Sequence, residues 1–311
     1  MKHITNQYNR EISNEFDHSI KESLEEDPTY ENFCNSIQKH EGRYSADLPW
    51  RSGLNVTSTN YFSAKKRLNS IISSLKKTEN FDKYNDVIDN YLSKDYIEVC
   101  PISETGSYLP HHAVIKQDRT TTKLRIVFDG SARTNHSLSL NECLYKGPIL
   151  LNDLAGMLMK FRIGTIAMTG DLEEAFLQIE IQELNGDYLK FLWIKNESEI
   201  CYRFKRLPFG LSCSPFILNA TIRRHCEINN TDIYKFFYVD DFIYAGENEN
   251  ELLKVCDNTV VLMQNAGFKL RKWSTNSKSM GSQKPFSDEE DPYNEHSVLG
   301  MKWNPTDDTL A

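Results

Sequence analysis

The stretch Phe236-Phe237-Tyr238-Val239-Asp240-Asp241-Phe242-Ile243-Tyr244 sets two adjacent aspartates between apolar, β-forming arms. Neighbouring like charges repel, and a half-buried carboxylate needs a partner, so the pattern demands either a solvated turn or a bound cation. A bare Tyr-x-Asp-Asp fits either solution. All-oxygen ligation would select magnesium or manganese over zinc. Side chains alternate along an extended strand, so Asp240 and Asp241 point in different directions and one is the principal ligand. A third carboxylate has to come from elsewhere. Asp171 is the candidate, because it ends the apolar run Ile163 to Met168, whereas Glu173 and Glu174 read as first-turn acids of a helix opened by Leu172 to Phe176.

Composition narrows the classes. With 311 residues, 39% hydrophobic and 26% charged, the chain has enough apolar side chains for a sizeable core. Its longest apolar runs, such as Ile149 to Leu151 and Val260 to Met263, fall far short of the roughly 18 to 20 residues of a membrane span. The polar N-terminus, with Glu11, Glu15 and Asp17, lacks a secretory apolar run, which predicts an intracellular, cytoplasmic protein. The seven cysteines are scattered without a C-x-x-C, as expected of buried reduced thiols rather than a disulfide framework or zinc site, and His225-Cys226 reads as an ordinary helical pair.

A net charge of -8 argues at face value against binding nucleic acid. The charge is uneven, however: residues 1 to 47 and 279 to 311 carry -5 each, leaving +2 on residues 48 to 278. Basic clusters occur at Lys65, Lys66, Arg67, Lys76 and Lys77, at Lys116, Arg119, Lys123, Arg125 and Arg133, and at Lys269, Arg271, Lys272 and Lys278. Three such clusters flanking an apolar middle fit a groove that tracks phosphates.

Periodicity predicts helices over Tyr61 to Lys77, Phe81 to Leu92, Ser214 to Ile228 and Leu252 to Met263, with Ser214 as N-cap, Pro215 in the first turn and Gly267 as a stop. Strand pairs are expected at Ala113 to Lys116 with Leu124 to Phe128, at Tyr188 to Lys195 with Ile200 to Arg206, and at Ile233 to Phe237 with Phe242 to Ala245. Residues 1 to 47 read as an acidic, loosely packed leader or polyprotein linker, and the whole as a mixed α+β chain.

In order and spacing these motifs resemble the reverse transcriptases over roughly residues 48 to 303. Lys123 to Asp129 is similar to the fingers strand whose basic residues hold the incoming triphosphate. Asp171 to Phe176 looks like the first catalytic motif, with Phe176 as a steric gate against a ribose 2′-hydroxyl. Leu207-Pro208-Phe209-Gly210 with Ser214-Pro215 resembles the motif under the nascent base pair and template. Tyr238-Val239-Asp240-Asp241 matches the palm hairpin, and Val298 to Trp303 is similar to the strand gripping the primer end. The strings Asp47-Leu48-Pro49-Trp50, Tyr108 to Val114, Lys123 to Ser131 and Gly267 to Ser274 resemble in particular the BEL/Pao-type LTR retrotransposon polyproteins.

This resemblance implies fingers and palm of a right-hand polymerase over residues 48 to 285, with a mixed or antiparallel palm sheet packed on helices. Residues 286 to 311 would hold the primer-grip strand and a truncated end without a thumb. It implies RNA-directed DNA polymerase activity with two Mg²⁺ ions, or Mn²⁺, at Asp171, Asp240 and Asp241. Lys123, Arg125, Phe176, Phe209 and Lys272 would contact the dNTP, with Arg271 an alternative to Lys272 at the leaving pyrophosphate. Gly210, Ser214, Pro215, Tyr238, Gly300 and Trp303 would contact an RNA or DNA template and its primer. No membrane partner is implied; inside a full polyprotein, the location would be a retroelement particle. The alternative is a truncated, inactive remnant that at most binds nucleic acid. Phe176 disfavours an RNA-synthesising polymerase. Asp129-Gly130-Ser131 has the wrong order for an aspartic protease, and His111-His112 reads as structural.

Overall fold

Apolar residues at one-turn spacing build the first helices. In Tyr61–Lys77 the stripe Ala64, Leu68, Ile72 and Leu75 is buried, and Lys76 and Lys77 complement the C-terminal dipole. Helix Phe81–Ser93 buries Tyr84 and Ile88. These elements come from a computed structural model that describes residues 28–117, 122–134, 137–289 and 291–311. Among the described residues no helix is long and apolar enough to cross a membrane.

The two helices pack on an antiparallel sheet of Ile97–Cys100, Ser198–Phe204 and Lys190–Lys195. Tyr84 stacks on Trp193 at 4.7 Å. Beside this sheet, His111–Gln117 and Thr122–Phe128 form an antiparallel hairpin. Its base is anchored by His111, whose Nε2 donates to the Leu192 carbonyl at 2.9 Å, which leaves Nδ1 to accept from the Tyr84 hydroxyl. Burial holds this imidazole down at about 4, so it is neutral and structural, as the sequence suggests.

A second antiparallel sheet carries the acids, in the order Phe237–Tyr238, Asp241–Gly246, Ile166–Leu172, Leu270–Thr275. Its two faces feed different cores. Met168, Leu172, Phe242 and Trp273 join the main core. Ala167 and Ile243 face a smaller one with Met157, Phe161, Val298 and Trp303. Met157 and Phe161 lie on helix Leu154–Ile163, whose N-cap Asp153 accepts from Ala155 and Gly156 backbone N–H groups. Val298 and Trp303 belong to the hairpin His296–Val298 and Met301–Asn304. Its two-residue turn, Leu299 and Gly300, has φ of 51° and 88° at the two positions, as a type I′ turn requires.

Several local expectations change. Part of the presumed leader is built into the body. Helix Pro28–Ser36 is followed by strands Gln38–His40 and Arg43–Ala46, and the latter pairs in parallel with Glu180–Ile181. Phe33, Tyr44 and Ala46 enter the main core, anchors too sparse along the chain to show as periodicity. Leu172 to Phe176 opens no α-helix; Glu174 turns left-handed at φ 50° into the short 3-10 helix Ala175–Gln178. Most of Ile233 to Phe237 is likewise 3-10 helix. Ser214 is not the N-cap: helix Ser214–Ile228 starts after Cys213, and the Ser214 hydroxyl donates to the Pro208 carbonyl at 2.9 Å instead.

Candidate active site

The site grows from the ends of two central strands. Asp171 stands directly opposite Asp241, and on its other side opposite Arg271. By alternation both aspartates share the face of Ala167 and Ile243. Val239 and Asp240 form the two-residue loop between the paired Tyr238 and Asp241. Val239 sits at φ 58°, a conformation that a β-branched residue adopts only under strain. The Asp240 carbonyl accepts from the Leu172 backbone N–H at 2.9 Å, which ties the loop to the strand end bearing Asp171.

The carboxylates crowd one another. Burial, then the neighbouring Asp240 and Asp171, pushes Asp241 up to about 7. Burial and Asp171 also raise Asp240, against the opposing pull of Lys272 and Arg125. Relief for Asp171 comes from the strand on its other side. The ladder is irregular between Arg271 and Ser274, and Lys272, left-handed at φ 53°, puts its Nζ 2.7 Å from Asp171 Oδ2. Arg271 Nε is 3.7 Å from the same oxygen, and its Nη1 is 3.0 Å from Glu173. Glu173 and Glu174 are therefore salt-bridge partners rather than helix-opening acids: Glu174 takes Lys94 at 2.8 Å and the Tyr96 hydroxyl at 2.8 Å. A cavity of about 400 Å³ opens on this face, lined by Asp171, Asp241, Lys272, Trp273, Glu289 and His296.

The donor set fits a hard divalent cation. It is all oxygen, and burial and the neighbouring aspartates raise Asp240 and Asp241, a cost that a bound cation would offset. Among the described residues no three potential ligands already converge tightly enough to hold an ion. Lys272 stands in as the countercharge of Asp171.

Arg125 is exposed on strand Thr122–Phe128, and its charge is among the weaker ones opposing the rise of Asp240. Lys123 lies two residues away on the same strand, paired with Lys116, and its side chain lies outside the described residues. Phe176 is buried and meets Phe209 edge-to-face at 4.7 Å, while Phe209 is half exposed. Gly210 does allow a close approach, but to protein: at φ 104°, an added Cβ would sit 1.7 Å from the Phe128 carbonyl oxygen. Asn141, which no sequence signal marked, holds this loop by donating to the Gly210 carbonyl at 3.3 Å and accepting from the Ser212 N–H at 2.9 Å. Pro215 is exposed beside it, whereas Ser214 is buried.

Tyr238 is half buried against the smaller core, which the Leu299-Gly300 turn adjoins. Trp303 departs from its expected role as a contact surface. It is 0% exposed, packed edge-to-face on Phe161 at 5.0 Å with its indole N–H donating to Asp308, because a large aromatic at that hairpin position closes the core.

The chain is similar in sequence and in fold to known proteins. Residues 133–283 match the family described as reverse transcriptase (RNA-dependent DNA polymerase). The chain is 24% identical over 159 residues to Protein P of Duck hepatitis B virus, strains Germany/DHBV-3 and China, a match covering 50% of this chain and 19% of each relative. It thus spans about a fifth of the length of the curated relatives it matches. Among solved structures, the foamy viral protease-reverse transcriptase in complex with double-stranded DNA is similar with a TM-score of 0.53 at 20% identity, covering 73% of this chain and 34% of that one. The same viral enzyme in complex with an RNA/DNA hybrid gives 0.52 at 20% identity, covering 74% of this chain and 26% of that one. These structural likenesses bear on the fold.

Proposed function

We propose that the chain, whose residues 133–283 match the reverse transcriptase family, acts as an RNA-directed DNA polymerase, adding dNTPs to a primer 3′-hydroxyl on an RNA or DNA template. The observation that carries this reading is the registered pair Asp171 and Asp241 with Asp240 in the adjoining turn, an acidic cluster at the ends of two neighbouring strands. Asp171 and Asp240, with Asp241 assisting, would hold two Mg²⁺ or Mn²⁺ ions. When bound, such ions supply activation of the attacking oxygen and stabilisation of the leaving one.

The chain's own groups would do the rest. Arg125, with Lys123, holds the triphosphate as a clamp on one strand face. Phe176, fixed against Phe209, stands as the gate toward the sugar. Phe209, Gly210 and Pro215 present the loop beneath the nascent pair, with Ser214 bracing it from inside. Tyr238 and the Gly300 turn meet the primer end, and Trp303 supports them from the smaller core. Lys272, or Arg271 beside it, would protonate the leaving pyrophosphate or pair with its charge.

Fingers and palm then run from about residue 48 to 285, with the primer-grip hairpin in residues 286 to 311. The finer assignment to BEL/Pao-type retrotransposons rests on the strings Asp47 to Trp50, Tyr108 to Val114, Lys123 to Ser131 and Gly267 to Ser274.

Primer extension by the purified chain on an RNA template with Mg²⁺ and dNTPs, beside Asp240→Ala and Asp241→Ala, tests the function. Extension abolished by either substitution supports it. Primer-template bound without extension would instead make the chain a nucleic-acid-binding remnant.

A further inference from the structure

On the sheet next to the fingers hairpin, Cys100 and Cys201 stand directly opposite each other across an antiparallel ladder, with their Sγ atoms 3.3 Å apart. Opposed residues in such a ladder have Cα separations of about 4.5 to 5.5 Å, inside the range a disulfide accepts, so side-chain rotation brings the sulfurs to bonding distance. The two thiols are unequal. Cys100 is half-buried at the end of its strand, and Cys201 is buried behind it. A cation stands close by: Lys190, itself fully buried, donates to Ser103 Oγ at 2.6 Å and to the Thr105 carbonyl at 2.6 Å, both neutral acceptors. The hydrogen bond shared with Cys201, then Lys190 and Arg203, holds the Cys100 thiol below its usual range, while that bond and burial push Cys201 up. An accessible thiol of lowered pKa beside a buried, protonated partner is the arrangement found in peroxide-responsive cysteines.

We propose that Cys100 and Cys201 form a peroxide-oxidisable pair, with Cys100 as the attacking sulfur and Cys201 as the resolving one. The Cys100 thiolate attacks one peroxide oxygen, the O–O bond breaks, and the departing hydroxide takes a proton to become water. Cys100 is now a sulfenic acid. Cys201 loses its proton and attacks the Cys100 sulfur, the S–S bond forms, the S–O bond breaks, and a second water leaves. Two thiols are oxidised and one peroxide is reduced. The product joins strand Ile97–Cys100 covalently to the hairpin formed by Lys190–Lys195 and Ser198–Phe204, and a dithiol reverses it. This pair lies outside the acidic site and does not depend on the polymerase reading.

The test is to treat the purified full chain with hydrogen peroxide, alkylate the remaining thiols, and map the peptides by mass spectrometry. The expected result is a Cys100–Cys201 cross-linked peptide lacking two hydrogens, abolished by dithiothreitol, with Cys34, Cys143, Cys213, Cys226 and Cys256 alkylated. In Cys201→Ser the reaction stops at Cys100 sulfenic acid, which dimedone labels. Peroxide that leaves Cys100 and Cys201 fully alkylatable in the unmodified chain, or that oxidises one of the other five first, overturns the proposal. Because the mapping needs no variant, a misfolded Cys201→Ser protein would not decide it.

Discussion

Asp241 faces Asp171 directly across two paired strands, while Arg271 faces Asp171 from the other side. One aspartate is thus held between a like charge and an opposite one, and the unrelieved repulsion falls on the Asp240-Asp241 side.

Removing that repulsion should stabilise the fold at the expense of chemistry. Asp241→Asn keeps the side-chain shape while deleting a half-buried charge. In metal-free buffer at pH 8, thermal unfolding should shift upward by an amount on the order of 1–3 kcal/mol, with primer extension lost. A variant that melts lower than the parent would show that Asp241 is already compensated.

Strain in the turn predicts a second trade. Val239 holds φ 58°, a conformation costing an L-residue about 1–2 kcal/mol. Val239→Gly removes that cost but adds backbone entropy to the unfolded chain. Urea titration should show a net gain below about 1 kcal/mol. Extension should slow, because the loop carrying Asp240 loses its fixed geometry.

His111 predicts a pH dependence far from the chemistry. Burial lowers this imidazole from 6.5 to about 4 in the fold, so the unfolded chain takes up its proton first as pH falls. The stabilising contribution is intact above pH 6.5 and is lost as pH drops toward 4, at a total cost on the order of 3 kcal/mol. Urea midpoints at pH 7.5 and 4.5 should diverge more for the parent than for His111→Gln.

Phe176 carries packing and selectivity together. Truncation to alanine removes its contact with Phe209 and should cost about 3 kcal/mol of stability. If the ring is a gate, Phe176→Ala also raises the ratio of ribonucleotide to deoxynucleotide incorporation at least tenfold. Unchanged discrimination in a folded variant would leave the ring as core alone.

Strong local signals in the sequence mark the elements that depend on them. The stripe Ala64, Leu68, Ile72 and Leu75, the hairpin ending at Phe128 and the helix after Cys213 all follow from periodicity, Pro or turn residues. The adjacent aspartates demand a solvated turn or a bound cation, and it is the motifs around them that favour the cation. What stays hidden is set by distant partners. Strand Leu270–Thr275 reads as a basic run, and only its pairing with Ile166–Leu172 brings Lys272 onto Asp171. Asn141 is an unremarkable helical residue until the 207–212 loop folds over it. The paired thiols Cys100 and Cys201 are a hundred positions apart and meet only through strand register.

Phe242 and Ile243 are consecutive residues that serve different cores, as Met168 and Ala167 do on the strand beside them. A sheet gripped from both sides in this way has one admissible register. Sliding one strand past its neighbour by a single residue would send each side chain into the wrong core and carry Asp241 out of line with Asp171. The alignment of the two carboxylates is therefore a by-product of packing, protected by the apolar residues of two cores. Mutations that loosen the small core around Trp303 should be read out first as misaligned chemistry, before the chain as a whole unfolds.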